Sequence, residues 1–292
     1  MKVAIYSRGL EEGHEQNFYY LLEELAANKI EVLLYSSLLS GVMSLTANKF
    51  DTKVFYSSKA LDETIDFVIS LGGDGTVLDC ACLIKDKKIP LVGINFGRLG
   101  FLANIGKEHI KLAIKALVEG EFTIDQRSLI HVDGSDPIFS DAPFGLNELV
   151  IYKQDGVSTI KVHTYINGEF LNTYWCDGLI VSTPTGSTGY NLSCNGPILF
   201  PENSCFVITP IAPHHLNVRP LVVADSNVIS FEIETRSSHY VCSVDTRREV
   251  ISKHVHVAVR KEDFTIGLIR FNDNTFLETL RNKLGWGVDK RN

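Results

Sequence analysis

Hydrophobic and polar positions follow two rhythms along this chain. Up to residue 122, short apolar runs alternate with segments of helical period. "KVAIYS" (2–7), "EVLLYS" (31–36), "DFVISL" (66–71) and "IPLVGIN" (89–95) read as buried strands. Residues 12–28 set Phe18, Leu21, Leu22 and Leu25 at near-helical spacing, and Val77, Leu78, Ala81 and Ile84 repeat the pattern after the third run. A further helix is predicted over 107–120. Strand–helix alternation with apolar strands predicts a parallel sheet covered on both faces.

From "FTIDQRSLIHVDG" onward the period shortens to two. "FGLNELVIY" (144–152), "TIKVHTYINGEFLNTYWC" (159–176), "CFVITPI" (205–211), "VISFEIET" (228–235), "YVCSVD" (240–245) and "HVHVAVR" (254–260) are rich in β-branched and aromatic residues. Asn167-Gly168 is a hairpin signal. An antiparallel β domain is predicted here. Residues 273–287 read as a helix stopped by Gly285. The expected division is an α/β domain over 1–122, an all-β domain over 123–262, and a tail over 263–292 that docks elsewhere.

Composition narrows the function classes. The 292 residues are 45% hydrophobic and 22% charged, as in ordinary globular proteins. A net charge of −7 argues against coating nucleic acid, whose phosphates call for a basic surface. None of the six cysteines forms a CxxC pair, so no zinc framework is readable. No apolar run nears the ~20 residues of a membrane span, and the first residues lack a signal pattern. The expectation is a cytoplasmic protein with reduced thiols and no membrane partner.

Three glycine-rich stretches follow strand-like runs. In Gly72-Gly73-Asp74-Gly75-Thr76, a strand end, a tight turn and a helix start together offer backbone N–H groups to an anion. Asp74 reads there as a helix cap, a metal ligand or a base. "GINFGRLGFL" (93–102) would open on the same sheet edge, where open α/β sheets place ligands. Its Arg98 reads as a phosphate ligand or a solvated loop arginine, and Phe101 as core or pocket wall. "CDGLIVSTPTGSTGYNLSCNGPI" (176–198) gathers hydroxyls able to meet phosphate or ribose. Asn147-Glu148 reads as an exposed strand edge or as a grip on a sugar diol. His214 and His215 lack a metal-binding spacing.

Taken in order, "GGDGTVL", "GINFGRLGFL", Asn147-Glu148, "DGLIVSTPTGSTGYNLS" and "ITPIAPHHLNVRPLVV" resemble the NAD kinases over nearly the whole chain. The first element is shared with diacylglycerol and sphingosine kinases and phosphofructokinases; the long fourth element is far more specific. The resemblance implies a Rossmann-like N-terminal domain, a β-sandwich-type C-terminal domain and a tail helix returning to the first. It implies transfer of the γ-phosphoryl of ATP, with a divalent cation such as Mg2+, to the 2′-hydroxyl of the adenosine ribose of NAD. Asp74 matches the proposed base. Gly75, Phe101, Asn147, Glu148, Asp177, Thr185, Thr188 and Tyr190 match positions contacting NAD. Gly72, Gly73, Arg98 and Arg247 are candidate phosphate ligands; no metal ligand is assigned. A homodimer or homotetramer is implied.

Three departures stand out. Gly189 replaces a common alanine, which should enlarge the space beside Tyr190. Asn195 and Thr246 each replace a glycine, which bears on loop shape and on the contribution of Asp245 and Arg247. Two rival classes remain, a lipid kinase sharing the Gly-Gly-Asp-Gly turn and a non-catalytic dinucleotide sensor. The first would call for an amphipathic membrane segment, and the second has no need of a base.

Overall fold

The computed structural model describes residues 1–39, 50, 52–156, 158–271 and 275–287. The chain forms two compact units, Met1–Gln126 joined by the chain from Ile266 onward, and Arg127–Thr265.

The first unit holds β1 (Lys2–Tyr6), β2 (Glu31–Tyr35), β3 (Thr52–Phe55), β4 (Phe67–Leu71), β5 (Leu91–Asn95), β6 (Ile105–Gly106) and β7 (Thr123–Arg127). A returning strand, Ile266–Arg270, completes the sheet in the order β3-β2-β1-β4-β5-return-β7, with β6 beside β5. Pairings from β3 through β5, and from β5 to the returning strand, are parallel. Sequence order reverses between β1 and β4, so the connections leaving their carboxyl ends diverge and open a crevice.

Helices α1 (Glu15–Ala27), α2 (Asp74–Ile84) and α3 (Ile110–Glu119) accompany this sheet. α1 buries Phe18, Leu21, Leu22 and Leu25, the stripe its spacing predicts. Each such side chain contributes about 1.5–3 kcal/mol on burial. α1 starts three residues later than the pattern suggests, because Gly13 takes φ +87 just before it. Residues 107–109 are a 3₁₀ turn leading into α3, which Gly120 ends at φ +74. β3, β7 and the returning strand were not apparent from hydrophobic period. The pairing of β7 carries the first unit to residue 126, past the change of rhythm at 122.

The tail helix, Phe276–Leu284, is capped at one end by Thr275, whose hydroxyl accepts from the Glu278 N–H, and stopped by Gly285 at φ +66. Residues 273 and 274 of the expected helix lie outside the described residues. No helix among the described residues is long and apolar enough to cross a membrane.

The second unit is two six-stranded antiparallel sheets. One runs Leu221–Ala224, Cys205–Ile211, Gly178–Ser182, Glu148–Tyr152, His239–Val244, Arg247–Ser252. The other runs Glu169–Cys176, Ile160–Ile166, Ile229–Glu234, Val257–Lys261, Ile130–Gly134, Phe144–Gly145. Ile151, Val181 and Phe206 of the first share a core with Val162, Phe231 and Val259 of the second. Asn167 and Gly168 take φ +51 and +82, as a type I′ hairpin demands. The apolar run 144–152 is two strands, because the chain changes sheets at Leu146-Asn147.

Candidate functional site

In the first unit, a cleft of about 440 Å³ opens at the carboxyl ends of β1, β4 and β5. Gly72, Gly73, Gly75 and Arg98 of the two glycine-rich turns line it, and so do Arg8, His14 and Asn95, which the sequence reading did not name. Gly72 has no room for a side chain: a Cβ would stand 2.4 Å from Thr76 Oγ1, and its φ is +149.

Asp74 is the first residue of α2 and does not cap it; Gly73 holds the cap position without a side-chain bond. The Asp74 carboxylate instead accepts three backbone N–H groups, from Phe101 on Oδ2 (2.8 Å) and from Leu102 and Ala103 on Oδ1 (both 2.9 Å). It thereby staples the second glycine-rich loop to the first. Two carboxylate oxygens offer about four acceptor positions. By this count Oδ2 retains one acceptor position, although Asp74 itself is not among the residues lining the cleft. Gly100 must be glycine here, since a Cβ would fall 1.8 Å from Asp74 Oδ1. Phe101 is half-buried and does not line the cleft; its N–H is what meets Asp74. The tail helix brings Lys283 into the field of Asp74 and Arg98: burial pulls its ammonium below the ordinary lysine range, and the Asp74 charge opposes this.

In the second unit, an aspartate performs the same kind of stapling. Asp245 accepts the N–H groups of Leu146 (2.7 Å), Asn147 (2.8 Å) and Glu148 (3.1 Å), holding the point where the chain changes sheets. Burial pushes its carboxyl up, against these donors and Arg247. Glu148 is buried, 8% exposed, and among the described residues neither its Oε2 nor the buried Asn147 Oδ1 has a hydrogen-bond partner. Burial, then the Asp245 charge, raises the Glu148 carboxyl to about 8. Two acceptors out of water without partners are costly unless a ligand meets them. Tyr190 stacks on Tyr152 with centroids 6.3 Å apart, and Asp177 pairs with Lys153 at 2.8 Å. Tyr152 and Lys153 were not singled out by the sequence; Tyr152 ends the strand that starts at Glu148, and Lys153 follows it.

Most hydroxyls of the third glycine-rich stretch serve the fold. Thr183 Oγ1 donates to Leu146 O, Ser187 Oγ to Pro184 O and Thr188 Oγ1 to Thr185 O, while Thr185 Oγ1 accepts from Arg127. Gly186 lies against Asn147 O, where a Cβ would come to 2.3 Å. Arg247, a candidate phosphate ligand by sequence, has another task. Its terminal nitrogens donate to the carbonyls of Ala142 and Phe144, and its Nε is buried.

Comparison with known proteins matches residues 10–122 to the ATP-NAD kinase N-terminal domain and 146–271 to the ATP-NAD kinase C-terminal domain. NAD kinases of Cytophaga hutchinsonii and Bacteroides fragilis are 44% and 36% identical, each with both chains fully covered. The chain belongs to the ATP-NAD kinase family. Its activity is ATP-dependent phosphorylation of NAD at the 2′-hydroxyl. An NAD kinase from Archaeoglobus fulgidus, solved in complex with ATP, is 26% identical with a TM-score of 0.75, covering 98% of this chain and 99% of that one. Yeast NADH kinase, solved with NADH, shares the fold at 20% identity and a TM-score of 0.88, covering 100% of this chain and 89% of that one.

The three departures from the NAD kinase pattern now have physical readings. Gly189 opens space over the Asn147–Glu148 pair: a Cβ would stand 3.2 Å from Asn147 Nδ2 and 3.3 Å from Glu148 Oε2. Asn195 takes φ +62, where asparagine is among the more tolerant non-glycine residues. Asn195→Ala is expected to cost about 1–2 kcal/mol in urea unfolding, and Asn195→Gly to cost nothing measurable. Thr246 replaces a glycine without strain, because the left-handed residue of that hairpin is Asp245, at φ +53. Asp245 accepts its three donors with threonine at 246.

Proposed function

We propose that Asp74 accepts the 2′-hydroxyl proton of NAD as the phosphoryl group of ATP is transferred, while Asn147 and Glu148 hold the dinucleotide. The carrying observation is the pair of buried, unpartnered acceptors, Asn147 Oδ1 and Glu148 Oε2. Sugar hydroxyls and adenine amino groups are donors of the kind these atoms need. The acceptor position that Asp74 Oδ2 retains suits one hydroxyl. Phosphoryl transfer asks mainly for alignment and charge neutralisation, with a route for one proton. The stapled carboxylate supplies that route from a fixed position.

Tyr190 offers a stacking face, and Asp177, Thr185 and Thr188 offer polar contacts; Gly75 and Phe101 complete the NAD contacts in this assignment. Gly72, Gly73 and Arg98 take phosphate oxygens in the cleft. Among the described residues, no group of three or more His, Cys, Asp or Glu is placed to hold a metal. The cation is assigned to ATP, consistent with magnesium's preference for phosphates and water.

We assign the enzyme to the cytoplasm, as a homodimer or homotetramer. The six cysteines, none of them disulfide-bonded among the described residues, suit a reducing compartment. The exposed edge strand Leu221–Ala224, with Leu221 and Val222 outward, suits a contact with a second copy. Light scattering on the purified chain tests the assembly.

A coupled assay of NADP formation from NAD and ATP, run beside a diacylglycerol acceptor, tests the substrate. Glu148→Ala is expected to raise KM for NAD about tenfold and to lower kcat less. A larger loss in kcat than in KM would move Glu148 into the chemical step.

A further inference from the structure

The first unit contains one ion pair that sequence reading leaves unexplained. Arg8 follows β1, at the reversal of strand order, and lines the cleft. Its Nε donates to Asp79 Oδ2 at 2.5 Å, and Nη2 donates to Gly75 O at 3.2 Å. Asp79 Oδ2 also receives the Tyr6 hydroxyl at 3.5 Å. The guanidinium lies over Gly75, with both terminal nitrogens 3.5 Å from where a Cβ would be.

The orientation of this pair matters. An arginine meeting a carboxylate end-on spends its terminal fork. Arg8 meets Asp79 through Nε. Of its five N–H donors, two are used, leaving three on the terminal nitrogens. The contact fixes the side chain and leaves most of the fork available. The Asp79 hydrogen bond also raises the guanidinium pKa further, so the charge is permanent.

The surroundings select an anion with several oxygens. Among the described residues, the other guanidinium lining the cleft is Arg98 and the carboxylate lining it is Glu11. Asn95 is committed to its own loop, donating to Arg98 O and accepting from Gly97 N–H. Three neighbouring glycines let a ligand approach the main chain.

We propose that Arg8 is a ligand for the polyphosphate chain of the nucleoside triphosphate donor, and that Asp79 is its positioning residue. This rests on the proposed assignment of the cleft to phosphate. It also gives Asp79, the second acid of α2, a role that does not involve a metal.

The test is steady-state kinetics of the full chain, varying ATP and NAD separately, with inorganic tripolyphosphate as a competitor. Arg8→Ala is expected to raise KM for ATP about 10–100-fold, the loss typical of a charge-assisted bond, with KM for NAD within twofold. It should weaken inhibition by tripolyphosphate by a similar factor. Arg8→Lys should fall between, since a point charge replaces a fork. Asp79→Asn should raise KM for ATP less than Arg8→Ala, and the double variant should match Arg8→Ala alone. Arg8 is 54% exposed in its side chain, so its alanine variant should fold, and circular dichroism checks this. Unchanged KM for ATP in Arg8→Ala, or an equal rise in KM for NAD, overturns the proposal. Tripolyphosphate that fails to compete with ATP on the wild-type chain overturns instead the assignment of the cleft to phosphate, on which the proposal rests.

Discussion

Asp74→Asn is expected to lower kcat by about 10²–10⁴-fold, the usual contribution of a general base. The structure adds a second expectation. The carboxylate accepts from Phe101, Leu102 and Ala103, so an amide must turn its NH₂ toward at least one of these N–H groups. Donor then faces donor, at a cost of about 1–3 kcal/mol. The variant should therefore melt earlier than wild type as well as turn over slowly. Gly100→Ala separates position from chemistry. It leaves the carboxylate intact but places a Cβ 1.8 Å from Asp74 Oδ1, which forces the acid or the loop to move. A comparable loss of kcat is expected from this displacement alone. Melting curves and kcat on both variants provide the check. A folded Asp74→Asn enzyme with near-wild-type turnover would sink the base assignment.

The second large effect concerns Glu148. Its carboxyl is raised to about 8 by burial and by the charge of Asp245. In the unfolded chain it titrates near the ordinary glutamate value of 4.5. Between these values the folded protein holds a proton that the unfolded chain has lost. The stabilising contribution is therefore full below the unfolded value and is lost as pH rises through 8. The slope is about 1.4 kcal/mol per pH unit while this difference lasts. Glu148→Gln is neutral throughout and should lack that slope. Its unfolding free energy should exceed wild type by roughly 2–4 kcal/mol at pH 8.5, and the gap should shrink toward pH 5. Urea titrations at the two pH values measure it. Parallel pH profiles for the two proteins would show that Glu148 does not titrate as its burial requires. A carboxyl that is neutral in the free protein also presents an O–H, so the Asn147–Glu148 pair can donate as well as accept when NAD arrives.

Asp74 and Asp245 share one design. Each is an aspartate beside a turn, and each gathers three successive backbone N–H groups of a distant segment. Three such bonds hold a loop that has no regular partner of its own. Each also places a functional group: Asp74 its own remaining lone pair, Asp245 the side chains of Asn147 and Glu148. The left-handed φ of Asp245 is a local cost borne where the neighbouring geometry over-determines it.

Local signals carried the fold a long way. The apolar stripe of α1, the Asn167-Gly168 hairpin and the Gly285 stop follow from side-chain period and backbone preference, which neighbouring residues decide. The glycine turn before α2 was legible for the same reason. What local signals missed was short or irregular. Thr52–Phe55 is a four-residue strand with only Phe55 buried, and Thr123–Arg127 has no buried residue. Neither shows an apolar period that could announce it. The break at Leu146-Asn147 was hidden because the residues on both sides look like one strand.

By itself, the sequence determined the two rhythms of the chain, the glycine-rich turns, the residues matching the family and hence the activity. Each is a property of neighbouring residues or of their order. Only the tertiary structure decided what the side chains do. Asp74 reaches donors 27–29 residues away, Arg8 meets an acid 71 residues away, and Asp245 holds amides 97–99 residues away. Such pairs come together because strand order brings distant turns to one edge, and no local preference records that meeting.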